Sequence, residues 1–389
     1  MKVPIGYRLL YKYARFCFRL YYKVRISGSE NIPSDKPVIF AANHQNALMD
    51  ALAILFAADR PVNFLARADI FKKPAIARLL EFLKLMPVYR PRDGVNIVDK
   101  NSEVFNKVAE MLSSGQSFGI MPEGTHTHIK HLQPLKKGIC HMTFEAAAVT
   151  DFTLDPVIVP VGLDYSNYHR PGSRLLVIFG EPIRASEYYQ LYRDVPNKAV
   201  AQLRDRLAVS VRSLMIDVRH PQEYSFIIRY AESMAFASHQ EDKKDPFVTF
   251  FKIKENVELL NNLIINDPSA YALLKEQNAY LLNDHSAQLS QNRPNYQNKS
   301  LPRLIFGKLF SSPGLILNCV PFLLSNFFSG KVKDPQFVSS IKYGTGILLF
   351  PIWYLLVFLI SLIFSTPLVG IGLVLLMVIT AVYTLKHLK

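Results

Sequence analysis

Apolar positions follow four regimes along the chain. Residues 7–25, YRLLYKYARFCFRLYYKVR, interleave aromatic and leucine side chains with Lys and Arg. At 3.6 residues per turn this predicts a helix with an apolar face bordered by cations, as in helices lying in a membrane interface; a core-packing amphipathic helix reads the same way. Short apolar runs come next: PVIFAAN (37–43), VNFLARAD, SFGIM, PVIVPVGL (156–163) and RLLVIFG. They read as strands, with Pro160 interrupting the fourth. Helical periodicity from Met49 to Ala58 and near 95–113, 137–149 and 197–217 separates or follows them. The alternation predicts an α/β fold over 31–220, a mixed sheet flanked by helices.

Residues 221–285 keep a helical period, broken at NDPS, and predict a helical appendage. The polar stretch SQNRPNYQNKSLP that follows reads as a linker. From Tyr343 to Leu385 no residue is charged. One helix of that length would extend about 65 Å, twice the hydrocarbon thickness of a bilayer. The run must fold back, and FSTPLVG supplies turn residues where the bend is needed. This predicts a transmembrane hairpin near 344–385. The stretch 309–328 is apolar but carries Pro313, Asn318 and Pro321, and is compatible with a re-entrant, an interfacial or a third spanning segment. The expected organisation is an amphipathic membrane-associating helix and leading strand (1–30), a catalytic α/β domain (31–220), a helical segment and linker (221–300) and a membrane region (301–389).

Charge sharpens the picture. Lys and Arg number 45 against 31 Asp and Glu, a net charge of +14, yet half the residues are hydrophobic. Basic nucleic-acid binders seldom carry such long apolar runs, so the balance points to anionic lipid as partner. Lys331, Lys333 and Lys342 precede the hairpin and Lys386 and Lys389 follow it, which places both ends on the cytoplasmic side. Cys17, Cys140 and Cys319 are far apart in apolar settings, without zinc or disulfide spacing. The N-terminus lacks the apolar core and cleavage site of a secretory signal, and none is expected.

Four short blocks carry candidate chemistry. In NHQNALMD, His44 and Asp50 could form a base and its orienting acid. Six residues apart in one helix, the two would diverge by about 240°. They converge only if His44 sits in a turn before a helix that holds Asp50 in its first turns, with Asn46 as a plausible N-cap. In MPVYRPRDG, Arg90 and Arg92 follow a short strand, and a guanidinium fork suits a phosphate. Arg92 reads equally as a membrane-facing charge. In GIMPEGTHTH, a strand runs into Pro122, Glu123, Gly124 and Thr125, at the strand end where α/β folds place ligands. The fourth block is the apolar run around Pro160.

Together these blocks resemble the glycerophospholipid acyltransferase family, which includes glycerol-3-phosphate and 1-acylglycerol-3-phosphate (lysophosphatidate) acyltransferases. The family's histidine–aspartate, arginine, Pro-Glu-Gly and proline-containing apolar blocks appear in order as NHQNALMD, MPVYR, MPEGT and VIVPV, and the resemblance covers about residues 7–215. It implies a glycerolipid acyltransferase-like fold. His44 would be the general base toward the acceptor hydroxyl, oriented by Asp50. Arg90 would hold the acceptor phosphate. Pro122, Glu123, Gly124 and Thr125 would shape and bind the acceptor site, and Pro160 would line the acyl side. The donor would be acyl-CoA or acyl carrier protein, with no cofactor and no metal. Direct attack agrees with the lack of a G-x-S-x-G nucleophile elbow.

Two departures stand out. Five residues separate His44 from Asp50 where the family usually has four, as in a branch that includes fungal-type glycerol-3-phosphate acyltransferases. His126 stands where the family commonly has arginine. His126, His128 and His131 invite a metal, but thioester transfer needs none and no carboxylate or cysteine sits at ligand spacing among them. A solvated loop is expected instead. Lys136 and Lys137 suit coenzyme A phosphates or a solvated face. A different lysolipid or amino-acid lipid acceptor stays open. A catalytically inactive scaffold is disfavoured by His44, Asp50, Glu123 and Gly124 occurring together.

Overall fold

A computed structural model describes residues 4–89, 97–127, 129–237, 245–283 and 313–387. Helix α1 (Ile5–Tyr21) leads into strand β1 (Tyr22–Ser27), followed by β2 (Val38–Ala42), α2 (Leu48–Ala57), β3 (Val62–Arg67), α3 (Pro74–Phe82) and β4 (Leu85–Val88). Next come α4 (Ile97–Ser113), β5 (Ser117–Ile120), α5 (Gly138–Ala148), β6 (Val157–Tyr165), β7 (Ser173–Phe179), β8 (Ile183–Arg184), α6 (Tyr189–Asp194) and α7 (Pro196–Ser213). Helices α8 (Tyr224–Ala237), α9 (Pro246–Asn266), α10 (Pro268–Gln277) and α11 (Tyr280–Asn283) form the appendage. The chain ends in α12 (Pro313–Leu317), α13 (Cys319–Gly330), α14 (Val338–Phe364) and α15 (Pro367–His387).

The sheet is mixed, in the order β1-β7-β6-β2-β5-β3-β4, with β8 beside β6. Strands β6, β2, β5, β3 and β4 run parallel, so their carboxyl ends share one edge. Strand β7 runs against β6 and carries β1 parallel to itself. Near-continuous apolar sequence in β2 and β6 follows from burial on both faces. One face packs Phe40, Val159 and Val161 against Phe18 of α1 and Met49 of α2. The other packs Ile39, Phe118 and Ile158 under α4, α5 and α7. Beyond β7, Leu176 and Ile178 meet α8 and α9.

Two local expectations change, and one left open gains detail. The first helix stops at Tyr21, because Tyr22–Ser27 pair with Ser173–Ile178 and the Tyr22 side chain is buried. Pro160 does not interrupt its strand. Its carbonyl accepts from the Gly180 amide, so the missing N–H lies at the gap between β7 and β8, where no strand needs a donor. Residues 313–330 hold two short helices joined at Asn318, whose buried side chain donates to the carbonyls of Gly314 and Met377, and residues 309–312 lie outside the described residues. Residues 290–302, read as a linker, lie outside the described residues.

The runs Pro335–Phe364 and Pro367–Leu385 are long and apolar enough to cross a membrane. They fold back at Ser365–Thr366, and Gly370 lets them approach: a Cβ there would sit 2.3 Å from Ser361 Oγ. The start of α14 is part of the core. Tyr343 is buried, its hydroxyl donates to the Ala14 carbonyl at 2.6 Å, and its ring meets Phe18 and Tyr21 edge-on. Replacing Tyr343 with Ala should therefore cost about 3–5 kcal/mol and with Phe about 1 kcal/mol. Thermal unfolding in detergent micelles should show a lowered midpoint in that order.

Candidate active site

The candidate residues converge at the carboxyl edge of the parallel strands. Chain leaving β2 makes a turn, Asn43 to Ala47, before α2 starts at Leu48. Asn43 ties this turn to β6, donating to the Leu163 carbonyl at 3.0 Å and accepting from the Leu163 amide at 2.7 Å. Ala47 is held at φ 44° and ψ −125°, a conformation L-residues rarely adopt, which costs of order 1–3 kcal/mol. It reverses the chain so that His44 faces the first turn of α2.

Asp50 lies in that turn, fully buried, and its carboxylate is the hub of the loop. Oδ2 accepts from the amides of Gln45 and Asn46, each at 2.7 Å, and lies 2.9 Å from His44 Nδ1. Oδ1 accepts from the Tyr165 hydroxyl at 2.8 Å. An acid three residues inside a helix normally reaches back to the N-cap amide. Here it reaches one and two residues further. Since the carboxylate can only accept, Nδ1 carries the imidazole proton and Nε2 presents its lone pair. Asn46 is not the N-cap: Ala47 occupies that position, and the Asn46 side chain donates to the Tyr22 hydroxyl at 3.0 Å.

Glu123 grips His44 from the other side. Past β5 the chain turns at Met121–Gly124, where Gly124 adopts φ +69°. Glu123 is 2 % exposed; Oε1 accepts from the His44 amide at 2.7 Å and Oε2 from the Gln133 amide at 3.0 Å. The Thr127 amide donates to the His44 carbonyl, so both backbone polar groups of His44 are held by one loop. Burial raises the Glu123 carboxyl to about 7; the two amides oppose the rise and Asp50 adds to it. Pro122 is buried and its carbonyl accepts from the Lys136 amide, whereas Gly124 and Thr125 are exposed beside this turn. Pro160 is buried within β6 opposite Ala41.

His126 and His131, expected in a solvated loop, are both engaged by neighbouring side chains. The rings of His126 and His44 lie perpendicular with centroids 5.2 Å apart. His126 Nε2 lies 3.5 Å from Asp334, its ring meets Phe337 edge-on, and its carbonyl accepts from the Gln336 side chain. Burial, with His44 beside it, lowers the His126 pKa, and Asp334 works against that shift. His131 Nδ1 is 3.2 Å from Asp217, whose carboxylate holds the imidazole above its ordinary value. His128 lies outside the described residues. Among the described residues no group of three or more His, Cys, Asp or Glu could hold a metal ion. Arg90 and Arg92 also lie outside the described residues.

Known proteins resemble this chain over the region that holds the site. The acyltransferase family model matches residues 23–164. Over those residues the chain carries an acyltransferase domain. A chloroplastic 1-acyl-sn-glycerol-3-phosphate acyltransferase of Arabidopsis thaliana is 28% identical over 188 residues, 46% of this chain and 48% of that protein. Glycerol-3-phosphate O-acyltransferase 2 of Saccharomyces cerevisiae is 33% identical over 115 residues, 29% of this chain and 15% of that protein. The matches thus span about half of the first relative and less of the second. The solved 1-acyl-sn-glycerophosphate acyltransferase of Thermotoga maritima is similar at 24% identity, covering 51% of this chain and 79% of that one with a TM-score of 0.34.

Two residues of the site escaped the sequence reading because they fall past the fourth block. Tyr165 follows the matched range by one residue and Tyr168 by four. The Tyr168 hydroxyl donates to Gln45 Oε1 at 2.9 Å, and its carbonyl accepts from Tyr22 at 2.8 Å. Burial, with Asp50 beside it, pushes the Tyr165 phenol well above its ordinary value, so it stays a donor. Tyr165→Phe should leave Asp50 Oδ1 without its phenol donor and lower kcat by about tenfold with KM little changed, read from initial rates. Glu123 gives a pH test. Its carboxyl rises from 4.5 unfolded to about 7 folded, so the neutral form stabilises the fold at low pH, and that contribution is lost as pH climbs through this window. Between about pH 5 and pH 8 the wild-type protein should lose up to about 3 kcal/mol that Glu123→Gln does not, measured as the difference between their thermal midpoints across pH.

Proposed function

We propose that this chain is a membrane-bound O-acyltransferase. It moves a fatty acyl group from acyl-CoA or acyl carrier protein to glycerol-3-phosphate or 1-acylglycerol-3-phosphate. The observation that carries the reading is the His44–Asp50 pair, with Nδ1 anchored at 2.9 Å on a buried carboxylate and Nε2 left to meet an acceptor. Nε2 removes the proton of the acceptor hydroxyl as its oxygen attacks the thioester carbonyl. The C–O bond forms, the C–S bond breaks, and the imidazolium returns the proton to the departing thiolate. Asp50 stabilises the imidazolium through this cycle. Glu123 acts by fixing the His44 backbone, since both of its oxygens are bonded to main-chain amides.

Arg90, two residues past β4, is assigned the acceptor phosphate on the resemblance of its block. The phosphate-bearing acceptors named for the Arabidopsis and yeast relatives support that assignment. The two long apolar helices support residence in a bilayer, and the lysines flanking them support an active site on the cytoplasmic side. His44→Ala should lower transfer by about 10²–10⁴-fold. The assay supplies membranes containing either protein with labelled acyl-CoA or acyl carrier protein, plus one acceptor at a time, and identifies the lipid formed. Equal turnover by the variant would sink the reading, and no product from either acceptor would remove phosphate acceptors from it.

A further inference from the structure

Among the described residues, helix α3 has little cover. The turn before it leaves β3 at the edge that carries His44 and Glu123, because β3, β5 and β2 are parallel, and the helix then runs back along the sheet to the start of β4, which is parallel to β3. The helix and the turn before it, Ala68–Phe71, expose Ile70 (41%), Leu79 (55%) and Phe82 (42%). Lys72, Lys73 and Arg78 are exposed on the same segment, against two acids, Asp69 in the turn and Glu81 on the helix. Burying such a face needs an occupant that is apolar inside and anionic at its rim.

Neighbouring helices continue the surface. Phe82 meets the Tyr7 ring of α1 edge-on at 5.9 Å, and Lys84 Nζ lies 5.7 Å above that ring. Helix α1 buries Tyr7, Phe18 and Tyr21 but turns Ile5, Leu9, Tyr13 and Phe16 outward, with Arg8 and Lys12 exposed among them. The Tyr13 hydroxyl donates to the Ile347 carbonyl of α14, beyond which Leu348, Ile352 and Leu355 are exposed. One apolar surface therefore runs from the spanning helix across α1 to α3. A second copy of the chain would set these cations against their own kind, whereas phospholipid offers both acyl chains and negative headgroups.

We infer that α3 is a second interfacial helix, which lays the catalytic edge of the sheet on an anionic bilayer surface beside the hairpin. This rests on the membrane-bound reading and goes past it, because two spanning helices do not by themselves place α3 in the bilayer surface.

Trp353 on α14 is the chain's single tryptophan and reports on the hairpin. Full-length protein is reconstituted in phosphatidylcholine–phosphatidylglycerol vesicles whose acyl chains carry bromine at shallow or deep positions. Wild type is compared with Trp353→Phe proteins that carry Leu79→Trp, Phe82→Trp or, as a control on exposed α7, Val209→Trp. Both α3 probes should be quenched, more by shallow than by deep bromines, while the α7 probe is not. Omitting phosphatidylglycerol, or adding Lys72→Glu with Lys73→Glu, should cut that quenching by roughly half or more. If Trp353 is quenched and both α3 probes behave like the α7 control, α3 faces water and the inference falls while the membrane-bound reading stands. If Trp353 is also unquenched, the hairpin is outside the bilayer and both fall.

Discussion

A carboxylate with no solvent exposure needs its hydrogen bonds supplied by the protein, and Asp50 obtains four from two parts of the chain. Three come from the turn before its own helix, two of them from main-chain amides and one from the His44 imidazole, and the fourth comes from the end of β6. That demand bends the 43–47 turn back over the start of α2, and Ala47 carries the resulting strain. Removing any donor leaves an under-bonded buried acid. The catalytic pair is thus also a structural knot. Its position is fixed by β2 and β6 lying side by side, with Ala42 opposite Val161.

His44 is held independently of Asp50. Its amide and carbonyl are bonded to Glu123 and Thr127, so the loop after β5 sets the backbone while Asp50 sets the ring. The two acids have separate jobs and separate environments. Asp50 touches the imidazole, whereas Glu123 touches only main-chain amides and titrates near neutrality through burial. A single acid doing both would couple ring orientation to every movement of the backbone. The division lets the ring cycle between neutral and charged forms on a fixed support.

Much of this was legible in the sequence, for physical reasons that differ by element. Strands buried on both faces leave continuous apolar runs, and five strands, β2, β3, β5, β6 and β7, were placed from such runs. The 43-residue uncharged run allowed little but a hairpin, and its bend falls at Ser365–Thr366 as the Ser-Thr-Pro sequence suggested. Convergence of His44 with Asp50 followed from helix geometry once the helix start was recognised. The cap did not, because the carboxylate of Asp50 captured the amides that an Asn46 cap would leave for water. Tyr22, Tyr165 and Tyr168 carry no spacing rule; their role arises from three strands meeting at one edge. Pro160 misled because a lost donor matters only where a neighbouring strand needs it.

The hairpin illustrates what sequence order hides. Residues 334–343 lie more than 160 positions beyond the acyltransferase match, yet several pack on the catalytic loop. Gln336 and Phe337 hold His126, which in turn flanks His44, and the buried Ser339 hydroxyl donates to the Tyr168 carbonyl. An arginine at 126 would bring a long, charged, five-donor side chain to this position; the shorter imidazole fits between two aromatic rings. His126 and Phe337 are therefore coupled choices, one from the domain and one from the membrane region. In this chain the segment entering the first long apolar helix forms a wall of the candidate site. A change at the membrane end can consequently reach His44 through two ring contacts, with no residue of the four blocks altered.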